Sequence, residues 1–590
     1  MKRRRIFTSE ALEDRRLLAV TVNHTPHLQL GNAALIGTPA YQDADQAELI
    51  WETIPSTELG NDEFTVEYRQ SGTTAWHAAE QLAPIATQVE DRVLHTAKLG
   101  DLLWSATYQY RVQQWRDNDL YKTYDATFVT RPRPGDTQPI TLAAYGDSAW
   151  WEYIEQFAGV QRRINEHNVD FALLLGDNIY PNGTHSDADG RFSPTLNPAA
   201  TTWNASHVDY VAVGNHDMET PLASQQLFST PVPDASSNAY ATLPADAMSE
   251  FVYSFDYGNL HVTVMDSWMS NTVETEETRA ALDAMLDYVV ADMQHTSAKW
   301  KIVVSHNPFI GTDKSRHPNE YYFQQMVSRL NNVGVDFVLG GDSHTFAWTH
   351  PISGFDDSDH DGDLTYDEIS YHPTSNRTYS KDAGVVQIVA GVGGRDYRLG
   401  DYTEPVYAQG YSLRDFTGPV EFGFAKLQLS EREAVISYIS AETGGIVGDL
   451  NGNGLPDADE PYFGQFRVVD YSQPSGDLND DGRLDADDID LICLAIQRPN
   501  APTRDDLNAD GSVDQQDVDT LLHNYFGAGP GDVNLDGIFN SSDLVAVFAA
   551  GKYETGATDT LWSQGDWDCD GEFTTRDLVL AFSMNAYIRA

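Results

Sequence analysis

Residues Phe171-Ala172-Leu173-Leu174-Leu175-Gly176-Asp177-Asn178-Ile179-Tyr180 pass without a break from five apolar side chains into a glycine and a string of polar groups. The apolar run has the length of a strand, and the Gly-Asp pair marks its end. The same change recurs four times. Ile140–Tyr145 precedes Gly146-Asp147, and Val208–Val213 precedes Gly214-Asn215-His216-Asp217. Lys301–Val304 precedes Ser305-His306, and Val335–Leu339 precedes Gly341-Asp342-Ser343-His344. Amphipathic helices are predicted between them at Trp150–His167, Thr278–Met293 and Glu320–Asn332. Alternating strands and helices predict an α/β domain over residues 138–440. Functional side chains are expected where its strands end.

Working outward, residues 21–134 carry a different rhythm. Ala47–Trp51, Phe64–Tyr68, Tyr108–Val112 and Thr123–Val129 alternate apolar and polar residues, the pattern of antiparallel strands in a β-sandwich. Trp51 and the Tyr108-Gln109-Tyr110-Arg111-Val112 run resemble a fibronectin type III domain, a fold that serves as a spacer or binding module. Arg131-Pro132-Arg133-Pro134-Gly135 reads as a linker.

The whole chain has 590 residues, with 37 Lys+Arg against 89 Asp+Glu and a formal charge of −52. That balance argues against a nucleic-acid partner, which requires a basic face to meet phosphate. No apolar run is long enough for a transmembrane helix. Cys493 and Cys569, the only cysteines, are too few for a disulfide framework or a Cys-rich zinc site. After residue 440 the chain carries 29 acidic and 7 basic side chains.

The acidity is organised. Six segments place oxygen side chains at positions 1, 3, 5 and 12 with Gly at 6, the spacing of an EF-hand calcium loop. Asp357, Asp359, Asp361 and Glu368 form one loop inside the α/β domain, read as a structural calcium clip. Asp449, Asn451, Asn453 and Glu460 form another, in a linker over 441–470. The remaining four are Asp477, Asn479, Asp481 and Asp488; Asp506, Asn508, Asp510 and Asp517; Asp532, Asn534, Asp536 and Asp543; and Asp566, Asp568, Asp570 and Asp577. Each of these four runs into an apolar helix start. Gly476–Gly482 and Gly531–Gly537 resemble type I dockerin repeats, grouped as pairs over 471–528 and 529–590. Small α-helical repeats of this kind are expected to draw much of their folding free energy from calcium. The resemblance implies a cohesin-like partner or attachment to a cell surface.

The five polar blocks of the α/β domain suit a two-metal hydrolase. Carboxylates offset two cations and one bridges them, while imidazole and amide ligands leave positions for water. Together the blocks resemble calcineurin-like metallophosphoesterases of the purple acid phosphatase type. Tyr180, three residues after Asp177, carries the closer likeness, with Ala149 where many relatives place a ligand His. The resemblance covers about residues 21–440. It implies a four-layer αββα sandwich and hydrolysis of phosphomonoesters by hydroxide supplied at two metals, iron paired with iron, zinc or manganese. One metal would be held by Asp147, Tyr180 and His344, the other by Asn215, His306 and Asp342, with Asp177 bridging. The family has His where this chain has Asp342, a harder and more negative ligand that favours manganese, magnesium, iron or calcium over zinc. Where the family continues Tyr-Glu-Arg after His344, this chain has Phe346-Ala347-Trp348. His216 corresponds to the residue that assists the leaving oxygen, and His317 falls in the loop where relatives place a substrate histidine.

The start of the chain, Met1-Lys2-Arg3-Arg4-Arg5, is basic, and Leu12–Leu18 resembles the LEPR-x-LL leader of exported bacterial proteins, with residues 1–20 as the leader segment. The expectation is an extracellular or cell-surface phosphohydrolase with a calcium-binding tail. A phosphodiesterase or nucleotidase on the same metals, and a surface scaffold that has lost activity at Asp342, are the competing readings.

Overall fold

The computed structural model describes residues 18–30, 44–87, 91–219, 226–230, 252–266, 276–310, 320–355, 369–374, 377–396, 407–411, 421–454, 460, 462–470, 476–479, 483–497, 505–508, 512–584 and 587. The leader residues 1–17, His317, the whole calcium loop at Asp357, Asp359, Asp361 and Glu368, and the ligand positions Asp481 and Asp510 lie outside them. The chain forms two compact units, residues 1–467 and 468–590.

The first unit opens with two β-sheets. Leu18–Gln29, Asp45–Leu59 and Val93–Leu102 pair in one, and Asp62–Gln70, Thr107–Arg116 and Asp119–Val129 in the other. Period-2 alternation buries Leu49 and Trp51 from the first against Val66, Tyr108, Tyr110 and Val112 from the second.

Two seven-stranded sheets follow. In one, Ile140–Tyr145, Phe171–Leu175 and Asp209–Ala212 run parallel, in register from Leu142 opposite Phe171 to Leu175 opposite Ala212. In the other, Leu260–Val264, Trp300–Val304, Phe337–Gly340 and Val386–Ala390 run parallel. The sheets meet through aromatic stacks, with Tyr210 on Phe255 at 3.7 Å and Phe346 on Tyr438 at 4.0 Å between centroids. Helix Ile154–Glu166 covers the outer face of the first sheet, burying Phe157, Val160 and Ile164. Helices Glu276–His295 and Glu320–Asn331 cover the second. These layers match the expected αββα order. The helix expected from Trp150 begins instead as a short 3-10 turn at Trp151–Tyr153.

Two boundaries differ from the sequence reading. Residues 441–454 and 462–467 pack into the first unit rather than forming a linker: Gly464 N–H donates to Val447 O at 2.8 Å, and Phe466 stacks on Trp348. The tail is one body rather than two independent pairs. A single core joins Ile489, Ile492, Val518 and Leu521 to Trp562, Trp567, Phe573 and Ala581, and a disulfide links Cys493 to Cys569. Helices Ala486–Ile496, Gln515–Thr520, Ser541–Ala549 and Thr575–Met584 follow the four loops. Among the described residues no helix is long and apolar enough to cross a membrane.

His261 ties the second sheet to its covering helix. Its Nδ1 meets Asp256 at 2.7 Å and its Nε2 meets Asp292 at 3.0 Å. Burial pulls the imidazole down, but the charge of Asp292 and the hydrogen bonds of both carboxylates outweigh it and raise it to about 10. A raised histidine stabilises the fold fully below its unfolded value of 6.5, and that contribution is lost as pH climbs through 10. His261→Gln leaves two buried carboxylates without their cation, a loss of about 3–5 kcal/mol. Urea unfolding should show a fall in wild-type stability between pH 6.5 and 10 that the variant lacks; equal pH profiles would contradict the assignment.

Candidate metal centre

Every expected transition-metal ligand follows the C-terminal end of a parallel strand: Asp147 after Tyr145, Asp177 and Tyr180 after Leu175, Asn215 after Ala212, His306 after Val304, and Asp342 and His344 after Gly340. Asp147, Asp177, Asp342 and His344 all have positive φ, between 49° and 60°. Left-handed backbone at residues with a side chain costs about 1–3 kcal/mol each and persists where surrounding structure enforces it. Here it turns four side chains off their strands into one space. Gly176, at φ 86°, permits a close approach: a Cβ there would lie 2.3 Å from His306 Nδ1. At Gly214 a Cβ would lie 2.2 Å from Asp177 Oδ1.

The side chains converge in a buried cluster. Tyr180 donates its hydroxyl to Asp177 Oδ2 at 2.7 Å and lies 3.2 Å from Asp147 Oδ1 and 3.4 Å from His344 Nε2. His344 Nε2 is 3.2 Å from Asp147 Oδ1. His306 Nε2 is 3.5 Å from Asp177 Oδ1 and 3.8 Å from Asp342 Oδ1. Ligand atoms of Asp147, Asp177 and His306 all lie within 4.8 Å of one another. Burial pushes the Tyr180 phenol well above its ordinary value, and the charges of Asp177 and Asp147 push it further.

The histidines are aimed by their other nitrogens. His306 Nδ1 donates to Leu175 O at 2.8 Å, and His344 Nδ1 donates to Asp396 O at 2.7 Å. A carbonyl only accepts, so each Nδ1 carries a proton and each Nε2 is the ring nitrogen turned to the cluster. His306 Nε2 is fully buried with no hydrogen-bond partner among the described residues. An orphaned ring nitrogen beside three buried carboxylates is a poor protein interior and a good cation site. Carboxylate, phenol and imidazole donors together fit transition metals. The residues present therefore fit a metal centre, with Asp177 placed between Tyr180 on one side and His306 on the other.

Asn215 opens the short helix Asn215–Met218 directly after Gly214. His216 donates its backbone N–H to Asp177 Oδ1 at 2.9 Å. Its ring Nδ1 faces Pro181 O at 2.6 Å, leaving Nε2 4.0 Å from Asp177 Oδ2. Three residues of the site carried no individual assignment from sequence. Asp217 is fully buried and accepts N–H groups from Asn178, Ile179 and Gly214, binding two ligand loops together. Burial and the Asp177 charge raise it to about 6. Arg395 lays its guanidinium 3.2 Å from the Trp150 ring centroid and 5.3 Å from that of Tyr180. Its backbone N–H donates to Asp147 O at 2.8 Å. Asp217 was visible as part of the Asn-His-Asp block, whereas Arg395 and Trp150 had no spacing signal.

Residues 135–346 match the family described as calcineurin-like phosphoesterase. Purple acid phosphatase 4 of Arabidopsis thaliana is 21% identical over 227 residues, 37% of this chain and 66% of that protein. Purple acid phosphatase 17 of the same plant is 23% identical over 180 residues, 30% of this chain and 53% of that protein. The matches thus span less than two thirds of either relative. Among solved structures, purple acid phosphatase PPD1 from yellow lupin (Lupinus luteus) seeds aligns with a TM-score of 0.52 at 15% identity, covering 77% of this chain and 75% of that one. Residues 135–346 are thus similar to a calcineurin-like phosphoesterase domain, and the chain shares the fold of the lupin purple acid phosphatase.

The contact at Gly176 gives a direct test of the geometry. Gly176→Ala forces a methyl into the His306 ring on a backbone that alanine disfavours. Elemental analysis of the purified variant should show loss of about one transition metal per chain; full retention would contradict the His306 placement.

Proposed function

We propose that this protein hydrolyses phosphomonoesters at two metals held by Asp147, Tyr180 and His344 on one side and Asn215, His306 and Asp342 on the other, with Asp177 shared. The observation that carries this reading is the Tyr180 hydroxyl meeting Asp177 and lying within 3.4 Å of both Asp147 and His344, at the strand ends of a calcineurin-like phosphoesterase domain. Iron, paired with iron, zinc or manganese, would supply Lewis acidity and a water of lowered pKa there.

The chain's own groups do the rest. Asp177 brings charge to the middle of the site and is fixed by Tyr180 and the His216 backbone. His216, oriented through Pro181 O, offers Nε2 at the partly open side of the cluster, where it protonates the leaving alkoxide or phenolate. Asp217 locks the Asp177 and Asn215 loops in register. Asp342 makes its side of the site more negative than a histidine would.

The tail is proposed as a calcium-stabilised attachment module. In each of its four loops the carboxylate at position 12 accepts backbone N–H groups from positions 3 and 9, and Asp577, which takes Asp568 and Thr574, accepts from Trp567 at position 2 as well. Asp543 likewise accepts from Asn534 and Asn540. Glu460 accepts from Leu450 and Asn451 in the loop at Asp449. Asp566 collects the Asp570 and Gly571 N–H groups at position 1 and is pushed up to about 7, by burial first and then by Asp577 and Asp570. The Cys493–Cys569 disulfide agrees with an oxidising, extracellular setting.

Asp177→Asn should lower kcat for an aryl phosphomonoester by at least about 1,000-fold while leaving the unfolding temperature of the first unit unchanged. Full activity in the variant would sink the assignment. Calcium chelation should lower the unfolding temperature of the second unit and leave turnover of soluble substrate intact; unchanged melting would remove the calcium role.

A further inference from the structure

The segment after Tyr180 touches both halves of the candidate site. Pro181 O orients the His216 ring. Gly183, at φ 65°, packs so closely that a Cβ would lie 2.6 Å from His216 O and 2.9 Å from Asp217 O. A displacement of residues 181–183 therefore moves Tyr180 and His216 together.

The far end of this segment is gripped by the N-terminal β-sandwich. Glu52, fully buried on strand Asp45–Leu59, accepts the His185 Nδ1 proton at 2.5 Å. Arg92 donates to His185 O at 3.2 Å, to Glu52 at 2.6 Å and to Asp189 at 2.9 Å. His24 and Asn23 also meet Asp189, at 2.6 and 2.8 Å. Burial alone would raise the Glu52 carboxyl, but the hydrogen bond from His185 and the charges of His24 and Arg92 hold it below its ordinary value. His24, Glu52 and Asp189 are close enough to hold a cation. The Arg92 guanidinium already fills that role, so the cluster is a clamp rather than a metal site.

We propose that the β-sandwich is a working part of the centre: Glu52 and Arg92 are positioning residues that fix the 181–189 segment and, through it, Tyr180 and His216. The proposal rests on the phosphohydrolase reading for its kinetic consequences alone. Residues 133 positions apart in sequence thus share one task, and the β-sandwich is more than a spacer.

The test uses the full-length metal-loaded protein with Glu52→Ala, His185→Ala and the double variant. Each single change should lower kcat for an aryl phosphomonoester by about 10–100-fold, the range for groups that orient metal ligands. KM and metal content should stay within about twofold of wild type. The double variant should lose no more than either single one, because both remove the same contact. Glu52→Gln, which keeps one acceptor for His185, should recover part of the loss, and it serves if Glu52→Ala does not fold. Amide hydrogen exchange across 178–189 should quicken in the same samples, a readout that needs no turnover. Wild-type protein without turnover would sink the phosphohydrolase reading and leave the exchange result to judge the clamp. Wild-type kcat and wild-type exchange in folded Glu52→Ala, or additive losses in the double variant, would overturn the proposal.

Discussion

The carboxylate of Asp177 has to share a buried space with Asp147, Asp342 and the oxygen of Tyr180, and that crowding governs everything around it. Like charges at these distances repel strongly where water is scarce. In the structure the pressure is relieved by one proton on Tyr180, kept there because burial and the two nearest carboxylates push the phenol up. Each imidazole spends one nitrogen on a backbone carbonyl and turns the other to the cluster. A set of groups this electron-rich is organised for metal. The fold accepts four left-handed residues at the strand ends to build it.

That cost is spread across the molecule. Asp217 joins the Asp177 and Asn215 loops, Arg395 ties its own loop to Asp147, and Gly176 and Gly214 let backbone and ligand come close. The clamp of Glu52, Arg92 and His185 extends the same logic to the β-sandwich. A site whose candidate ligands come from five separate loops is only as exact as the loop least supported, and the loop after Tyr180 has its outer support in another sheet system.

The layered fold and the cluster of candidate ligands were legible because their signals are local. An apolar run of five residues followed by Gly-Asp marks a strand and its end, and the parallel strands lie where those runs fall. The ends are off by a residue or two: Phe337–Gly340 in place of Val335–Leu339, Asp209–Ala212 in place of Val208–Val213. What could not be read is long-range. Nothing near Glu52 or Arg92 announces His185, and Cys493 gives no sign of Cys569, 76 residues later. The spacing of the acidic repeats is likewise a local signal, so it suggested two separate pairs; the shared core of Ile492 with Trp562 and Trp567 is a tertiary fact that spacing does not encode.

In the proposed centre Asp342 would set the chemical character, because a third buried carboxylate favours harder cations on the His306 side. The most direct test is one sample of purified protein in calcium buffer, read for transition-metal content, visible absorption and phosphomonoester turnover together. About two transition metals per chain, a tyrosinate-to-iron absorption band that disappears in Tyr180→Phe, and turnover are the predicted result. Calcium alone, no visible band and no turnover would contradict the account at its centre.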